Sequence, residues 1–108
     1  MARKRYNVYV IELDPSVLKA RKVKNENPDY IEGMGCLYVG QTARTPEERF
    51  EQHKEGYKSN RYTKKYGVRL RPDLYERYNP INTRERAEEM EERLAAKLRT
   101  RGYAVWFN

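Results

Sequence analysis

Cysteine is almost missing from this sequence, and long apolar runs are missing altogether. Cys36 stands alone, which excludes an internal disulfide and any multi-thiolate zinc site. Set between Gly35 and Leu37 in an apolar stretch, it reads as a small buried residue, with a catalytic thiol as the alternative. No segment approaches the ~20 consecutive apolar residues of a membrane span. Met1-Ala2-Arg3-Lys4-Arg5 has the charge of a secretion signal, but the apolar run behind it is short and carries Glu12 and Asp14. A cytoplasmic protein with no membrane partner is the expectation. Hydrophobic residues make up only 38% of the 108, against 36% charged. That leaves room for one domain over residues 1–108, its core drawn from a few strands and one or two amphipathic helices.

Positive charge is what the chain has in excess. Its 23 Lys and Arg outnumber 16 Asp and Glu, for a net charge of +7, and the sequence pI is near 9.6. Such a balance favours a polyanionic partner, nucleic acid ahead of an anionic membrane.

Local patterns place the elements. Tyr6 to Leu13 is β-branched and aromatic, with apolar residues on both faces, and predicts a central strand ended by Asp14-Pro15. Residues 14–35 lack periodicity and read as a long connection with a short helix near Ser16 to Lys22. Cys36 to Gly40 predicts a second strand. Thr45-Pro46-Glu47-Glu48 supplies an N-cap hydroxyl, a proline at the first helical position and a capping-box glutamate, so a helix runs to about Glu55. Leu74 to Tyr78, between Pro72 and Asn79-Pro80, predicts a third strand. A second capping pattern at Asn82 to Glu85 opens a helix lasting to about Arg101, with Gly102 placed to end it. The tail from Tyr103 is apolar enough to pack back on the sheet.

Four groups of residues carry chemistry. Arg49 and the sole histidine, His53, lie one helical turn apart. Phe50 puts that face at the border of the core, where a guanidinium and an imidazole could hold a phosphate; a solvated charged face is the alternative. On the last helix, Ala87, Met90, Leu94 and Leu98 fall within about 80° at ~100° per residue. Glu91 joins that apolar arc, unlike Glu85, Glu88, Glu89 and Glu92. A carboxylate there is costly unless paired with an arginine or bound to a metal, and magnesium is the hard cation that takes few protein ligands. Tyr9 and Tyr38 each sit inside an apolar strand. Finally, Lys54, Lys58, Arg61, Lys64, Lys65, Arg69 and Arg71 alternate with Tyr57, Tyr62 and Tyr66. Cations for phosphates among rings for bases suit a nucleic-acid surface, and a solvated loop is the competing reading.

In order and spacing these residues resemble the GIY-YIG nuclease family over nearly the whole chain. Asn7-Val8-Tyr9 stands at the first triplet, with asparagine where glycine is usual. Tyr38-Val39-Gly40, continued by Gln41-Thr42, stands at the second. Arg49 and His53 in ERFEQH match the family's arginine and the histidine or tyrosine a turn later. Ala87, Glu91 and Leu94 match the surroundings of its metal-binding glutamate, and Asn108 the asparagine that closes its core domain. The connection at 14–35 is longer than the family's usual hairpin and is read as an insert.

The resemblance implies an α+β fold with a small three-stranded antiparallel sheet flanked by helices. It further implies a metal-dependent endonuclease that hydrolyses nucleic-acid phosphodiesters, DNA ahead of RNA, using Mg2+ or Mn2+ on Glu91. Tyr38 would be the general base, Tyr9 would orient water or phosphate, and Arg49 would clamp the scissile phosphate. His53 would orient Tyr38 or shuttle its proton, while Gly40 and Asn108 would support the site. Two readings compete: a nucleic-acid-binding module of this fold that does not cut, and a basic RNA-binding protein whose charge is its whole function.

Overall fold

Valines and aromatics at the start of the chain form strand β1, Asn7–Leu13, in the computed structural model, which describes residues 5–107. Asn108 lies outside the described residues. β1 is central, as its two apolar faces require. It pairs antiparallel with β2 (Cys36–Thr42) on one side and with β3 (Gly67–Leu70) on the other. A fourth strand, β4 (Ala104–Phe107), runs parallel to β2, so the order is β3-β1-β2-β4. The expected three-stranded antiparallel sheet is thus corrected to a four-stranded mixed one. Its physical source is the apolar tail: a parallel neighbour needs a long helical crossover, and the last helix, α4 (Arg84–Thr100), supplies it while packing on both β2 and β4.

A second correction concerns β3. It is the short Gly67–Leu70 segment rather than Leu74–Tyr78, which instead makes two 3-10 turns, Pro72–Leu74 and Glu76–Tyr78. Pro72 opens the first turn; its ring fixes φ and removes a donor that a ladder would need. Tyr75 is buried between the turns, which is why the segment looks strand-like in sequence. The basic stretch is also more ordered than a loop, since Arg61–Tyr66 forms helix α3, capped by the Asn60 side chain accepting from the Tyr62 and Thr63 N–H groups. α4 begins one residue later than the capping pattern suggests, with Thr83 as N-cap.

Residues 14–35 hold a 3-10 turn, Pro15–Lys19, and a short helix α1, Arg21–Glu26. Val17 and Val23 from these pieces enter the core beside Val8, Val10, Leu37, Val39, Leu94 and Leu98. Cys36 is buried there too.

Two side-chain amides extend the sheet where strands run out. Asn27 accepts from the Val105 N–H at 2.7 Å and donates to the Val105 carbonyl at 3.0 Å. Asn79 does the same for Val8, both at 2.8 Å. Each amide supplies one donor and one acceptor, as a neighbouring strand residue would, and leaves no buried backbone group orphaned at those positions. Asn27 thereby ties α1 to β4.

Candidate active site

Strand pairing sets the first two groups. Tyr9 faces Gly40 across the β1–β2 ladder, and Tyr38 lies two residues before Gly40, so both phenols leave the same face of the sheet. Their ring centroids are 6.2 Å apart. Gly40 has a steric reason to be glycine: a Cβ there would meet the Tyr9 ring and hydroxyl at 2.5 Å.

Helix α2 (Pro46–Glu55) lies over these rings. Its start is the reciprocal capping box: the Glu48 N–H donates to Thr45 Oγ1, and the Glu48 carboxylate accepts from the Thr45 N–H. Its end is Gly56, with φ of +90°, a conformation that costs glycine nothing. Near that end His53 is fully buried. Its ring lies 6.0 Å from that of Tyr9 and meets the Tyr38 ring edge-on at 5.4 Å.

Hydrogen bonds order the three rings. His53 Nδ1 accepts from the backbone N–H of Asn60 at 3.4 Å. A backbone N–H can only donate, so a neutral imidazole there must carry its proton on Nε2. Nε2 lies 2.8 Å from the Tyr9 hydroxyl and therefore donates to it. With Nε2 donating, the Tyr9 hydroxyl keeps its own proton for another acceptor, and its interaction with the neighbouring Tyr38 raises the pKa of Tyr9 and lowers that of Tyr38. The donors run Asn60, His53, Tyr9, and the Tyr9 phenol stands beside Tyr38.

Burial dominates the titration of all three. It pushes His53 down to about 4, helped by the Arg49 charge, so the ring is neutral at pH 7. It pushes Tyr38 up to about 12 and Tyr9 well above its usual range. Arg49 pulls both phenols down and Glu91 pushes both up, so both charges act on this group of rings.

Arg49 is half-buried, one turn from His53, and already has partners. Its guanidinium donates to the carbonyls of Tyr57 at 3.1 Å and Lys58 at 2.8 Å, and to Gln52 Oε1 at 3.3 Å. Among the described residues these three bonds use three of its five N–H groups, which leaves two for an anion. Lys58 carries a positive φ of 43°, part of the turn that aims these carbonyls at Arg49.

Glu91 differs from Arg49 in having no partner among the described residues. It projects from the buried face of α4, 9% exposed. Among the described residues no hydrogen bond or ion pair reaches its carboxylate. Burial, then the charges of Glu88 and Glu92, raise it to about 7. The arginine pair left open by the sequence is not formed among those residues. Nor do three or more His, Cys, Asp or Glu converge anywhere among them. A lone hard carboxylate fits magnesium or manganese, which bind through one or two carboxylates and keep several waters. It does not fit a structural zinc cage.

The basic stretch divides. Lys58, Arg61, Lys64 and Lys65 are exposed. Lys54, also exposed, spends its ammonium on the carbonyls of Lys64 at 3.2 Å and Gly67 at 2.7 Å. Arg69 and Arg71 pair with Glu12, and Arg71 also with Asp73. Of the interleaved rings, Tyr62 is buried and only Tyr57 is well exposed. A cavity of about 950 Å³ beneath the 14–35 connection, walled by Leu18, Asn27, Tyr30 and Gly35, shares no residue with the phenols.

Sequence reasoning missed Asn60, whose N–H fixes the histidine tautomer. Its signal was available: asparagine before Arg61-Tyr62-Thr63 is a helix N-cap pattern. No helix among the described residues is long and apolar enough to cross a membrane.

The family model of the GIY-YIG catalytic domain matches residues 30–104. That range takes in Tyr38, Gly40, Arg49, His53 and Glu91 and begins after Tyr9, which joins the group through the sheet. No curated protein and no solved structure matches the chain. With most of its length matched, the chain belongs to the GIY-YIG catalytic-domain family, a family of nucleases.

Proposed function

We propose that this protein is a divalent-metal-dependent endonuclease that hydrolyses nucleic-acid phosphodiesters, with DNA ahead of RNA as substrate. Residues 1–108 act as one unit in which 14–35 is an insert. One observation carries the reading. Directional hydrogen bonds from Asn60 through His53 end on Tyr9 beside the buried Tyr38, within electrostatic reach of one arginine with spare donors and one carboxylate without a partner among the described residues.

Tyr38 takes the proton of the attacking water. Tyr9, oriented by the bond from His53, turns its own hydroxyl proton to Tyr38 and stabilises the phenolate this requires, because a donated bond favours the charged acceptor. Neutral His53 suits that task better than imidazolium, since its single Nε2 proton points one way. Arg49 turns its remaining N–H groups to the scissile phosphate and offsets charge developing on the phosphoryl oxygens. Its bonds to Tyr57 and Lys58 hold the guanidinium in place beforehand, so less order is lost when substrate arrives. Glu91 would hold magnesium or manganese, which would supply Lewis-acid polarisation of the phosphate, charge for the leaving 3′ oxygen and a lowered phenol pKa. Tyr38, near 12 by burial, stays a phenol until such charge is present.

The test is incubation with Mg2+ or Mn2+ and a panel of duplex, flap, branched and single-stranded DNA and RNA. Strand cleavage that EDTA stops and Tyr38→Phe removes is the expected result. Cleavage of nothing on the panel with either metal sinks the enzyme reading in favour of a binding module.

A further inference from the structure

The chain's only tryptophan lies next to the phenols. Trp106 pairs with Tyr38 across the parallel β2–β4 ladder, so the two are one strand apart, about 5 Å. Beside it opens a concavity of about 420 Å³ lined by Lys22, Lys58, Asn60, Arg61, Tyr62 and Trp106. Its cations come from two distant parts of the chain, the 14–35 connection and the turn after α2.

Both parts are held. α1, which carries Lys22, is tied to β4 through the two bonds from Asn27 to Val105. The Lys58 carbonyl is bonded by Arg49 and the Asn60 N–H by His53, so one wall of the concavity is also a wall of the tyrosine site. Tyr62 packs edge-on against Trp106 at 5.2 Å. Arg61 lies over the Tyr62 ring at 4.9 Å and bonds its hydroxyl at 2.9 Å. That leaves Trp106, half-buried, as the aromatic floor among three cations.

Cations around a recessed aromatic ring suit one nucleotide, phosphate on the charges and base on the ring. A base inside a duplex is stacked between its neighbours and cannot enter a recess without leaving the helix. We infer that this concavity holds an unpaired nucleotide beside the scissile phosphate. Its phosphate meets Lys22, Lys58 and Arg61, and its base stacks on Trp106. The 14–35 insert, through Lys22, thus selects substrates that are single-stranded next to the cut. Only the word scissile rests on the nuclease reading; the nucleotide subsite does not.

Trp106 is its own reporter, and the experiment needs no metal. In EDTA, the full chain is titrated with single-stranded (dT)8 and with a blunt duplex of the same length, following tryptophan emission and, in parallel, anisotropy of a labelled strand. Saturable quenching by (dT)8 and little by the duplex is expected. Lys22→Ala should flatten the slope of log affinity against log salt for (dT)8 by about 0.7. A residue that merely supports the fold would not move that slope. Binding of (dT)8 without quenching, equal quenching by the duplex, no single-strand binding, or an unchanged slope in Lys22→Ala each overturns the subsite. Quenching without metal-dependent cleavage supports the subsite and removes the nuclease reading. Cleavage without quenching does the reverse.

Discussion

His53 on α2 and Glu91 on α4 are both buried and both titratable, and burial disfavours the charged form of each, yet they are held in opposite ways. Each ring nitrogen of His53 has a partner, and its protonation state follows from which neighbour can only donate. Glu91 has no partner among the described residues, and burial, with the charges of Glu88 and Glu92, raises its pKa to about 7. A buried group whose bonds are all made is part of the frame. One whose bonds are unmade carries a desolvation cost that the fold retains, and a cation from outside relieves it. On the proposed reading, this contrast makes α2 the frame of the site and α4 the source of its metal ligand.

The largest effect should come from Glu91. Glu91→Gln is expected to lower metal-dependent cleavage at least about a thousand-fold, roughly 4 kcal/mol of transition-state stabilisation, with binding in EDTA retained. The same change should stabilise the metal-free protein at high pH. The carboxyl titrates near 7 when folded against 4.5 ordinarily, so the unfolded chain sheds its proton first. Stability is lost as pH rises from about 4.5 to 7 and stays lost above. Glu91→Gln removes that loss, worth roughly 1 kcal/mol after discounting for the solvent that reaches the carboxylate, or about 5 °C in Tm at pH 8. A variant that cuts at the wild-type rate, or melts earlier than wild type at pH 8, would break the assignment of ligand to α4.

Arg49 belongs to both sides of the comparison, since three donors are bonded within the protein and two are spare. Arg49→Ala should reduce single-turnover cleavage about a hundred-fold, with little change in affinity at saturating salt-matched conditions. It should also cost about 1–2 kcal/mol of stability, because the Tyr57 and Lys58 carbonyls lose their donor. Arg49→Lys cannot replace the planar fork, so it should fall short on both readouts. A full rate with a lowered Tm would make Arg49 purely a frame residue.

His53 should show the opposite pH slope from Glu91. Its folded pKa, about 4, lies below the ordinary 6.5 because of burial and the Arg49 charge. Between pH 6.5 and 4 the unfolded chain takes up a proton that the folded site refuses, so stability falls as pH falls through that window. Tm measured from pH 7 to 4 should therefore drop more steeply in wild type than in His53→Gln. Parallel curves would mean that His53 charges freely and that the tautomer argument fails.

How much of this was legible in the sequence follows from range. α2 was readable to the residue because its signals, Thr45, Pro46 and Glu48, act over one turn. Glu91 was readable because helical periodicity shows which side chain is out of place. β4 was legible only as an apolar tail, since parallel pairing with β2 depends on where a 17-residue helix returns the chain. The strand expected at Leu74–Tyr78 failed because Tyr75 is buried by turns rather than by a ladder. Asn27 and Asn79, each pairing with a strand more than 70 residues away, leave no local mark beyond a following proline. Partnership was the least legible property. Nothing in the pattern of lysines and arginines distinguishes those bonded to the protein's own carbonyls from those facing solvent.

That last point yields the smallest and most discriminating comparison, between Lys54 and Lys58. Sequence places both in one basic track, four residues apart and both exposed. Lys54, however, is bonded to the Lys64 and Gly67 carbonyls, where α3 ends and β3 begins. Lys58 lines the concavity beside Trp106 and bonds through its carbonyl, leaving its ammonium outward over the exposed Tyr57 ring at 5.6 Å. Lys54→Ala should therefore cost about 1 kcal/mol, or about 5 °C in Tm, and leave the salt dependence of nucleic-acid binding as it is, because no condensed counterion was displaced by that ammonium. Lys58→Ala should do the reverse. Its backbone keeps the same positive φ with alanine as with lysine, so stability should stay within about 0.5 kcal/mol of wild type. The slope of log affinity against log salt should meanwhile flatten by up to about one unit for a lost phosphate contact. If both variants flatten the slope equally, Lys54 leaves its carbonyls for the substrate and the track is continuous. If neither does, the nucleic acid runs elsewhere, and the cations after α2 serve the fold alone.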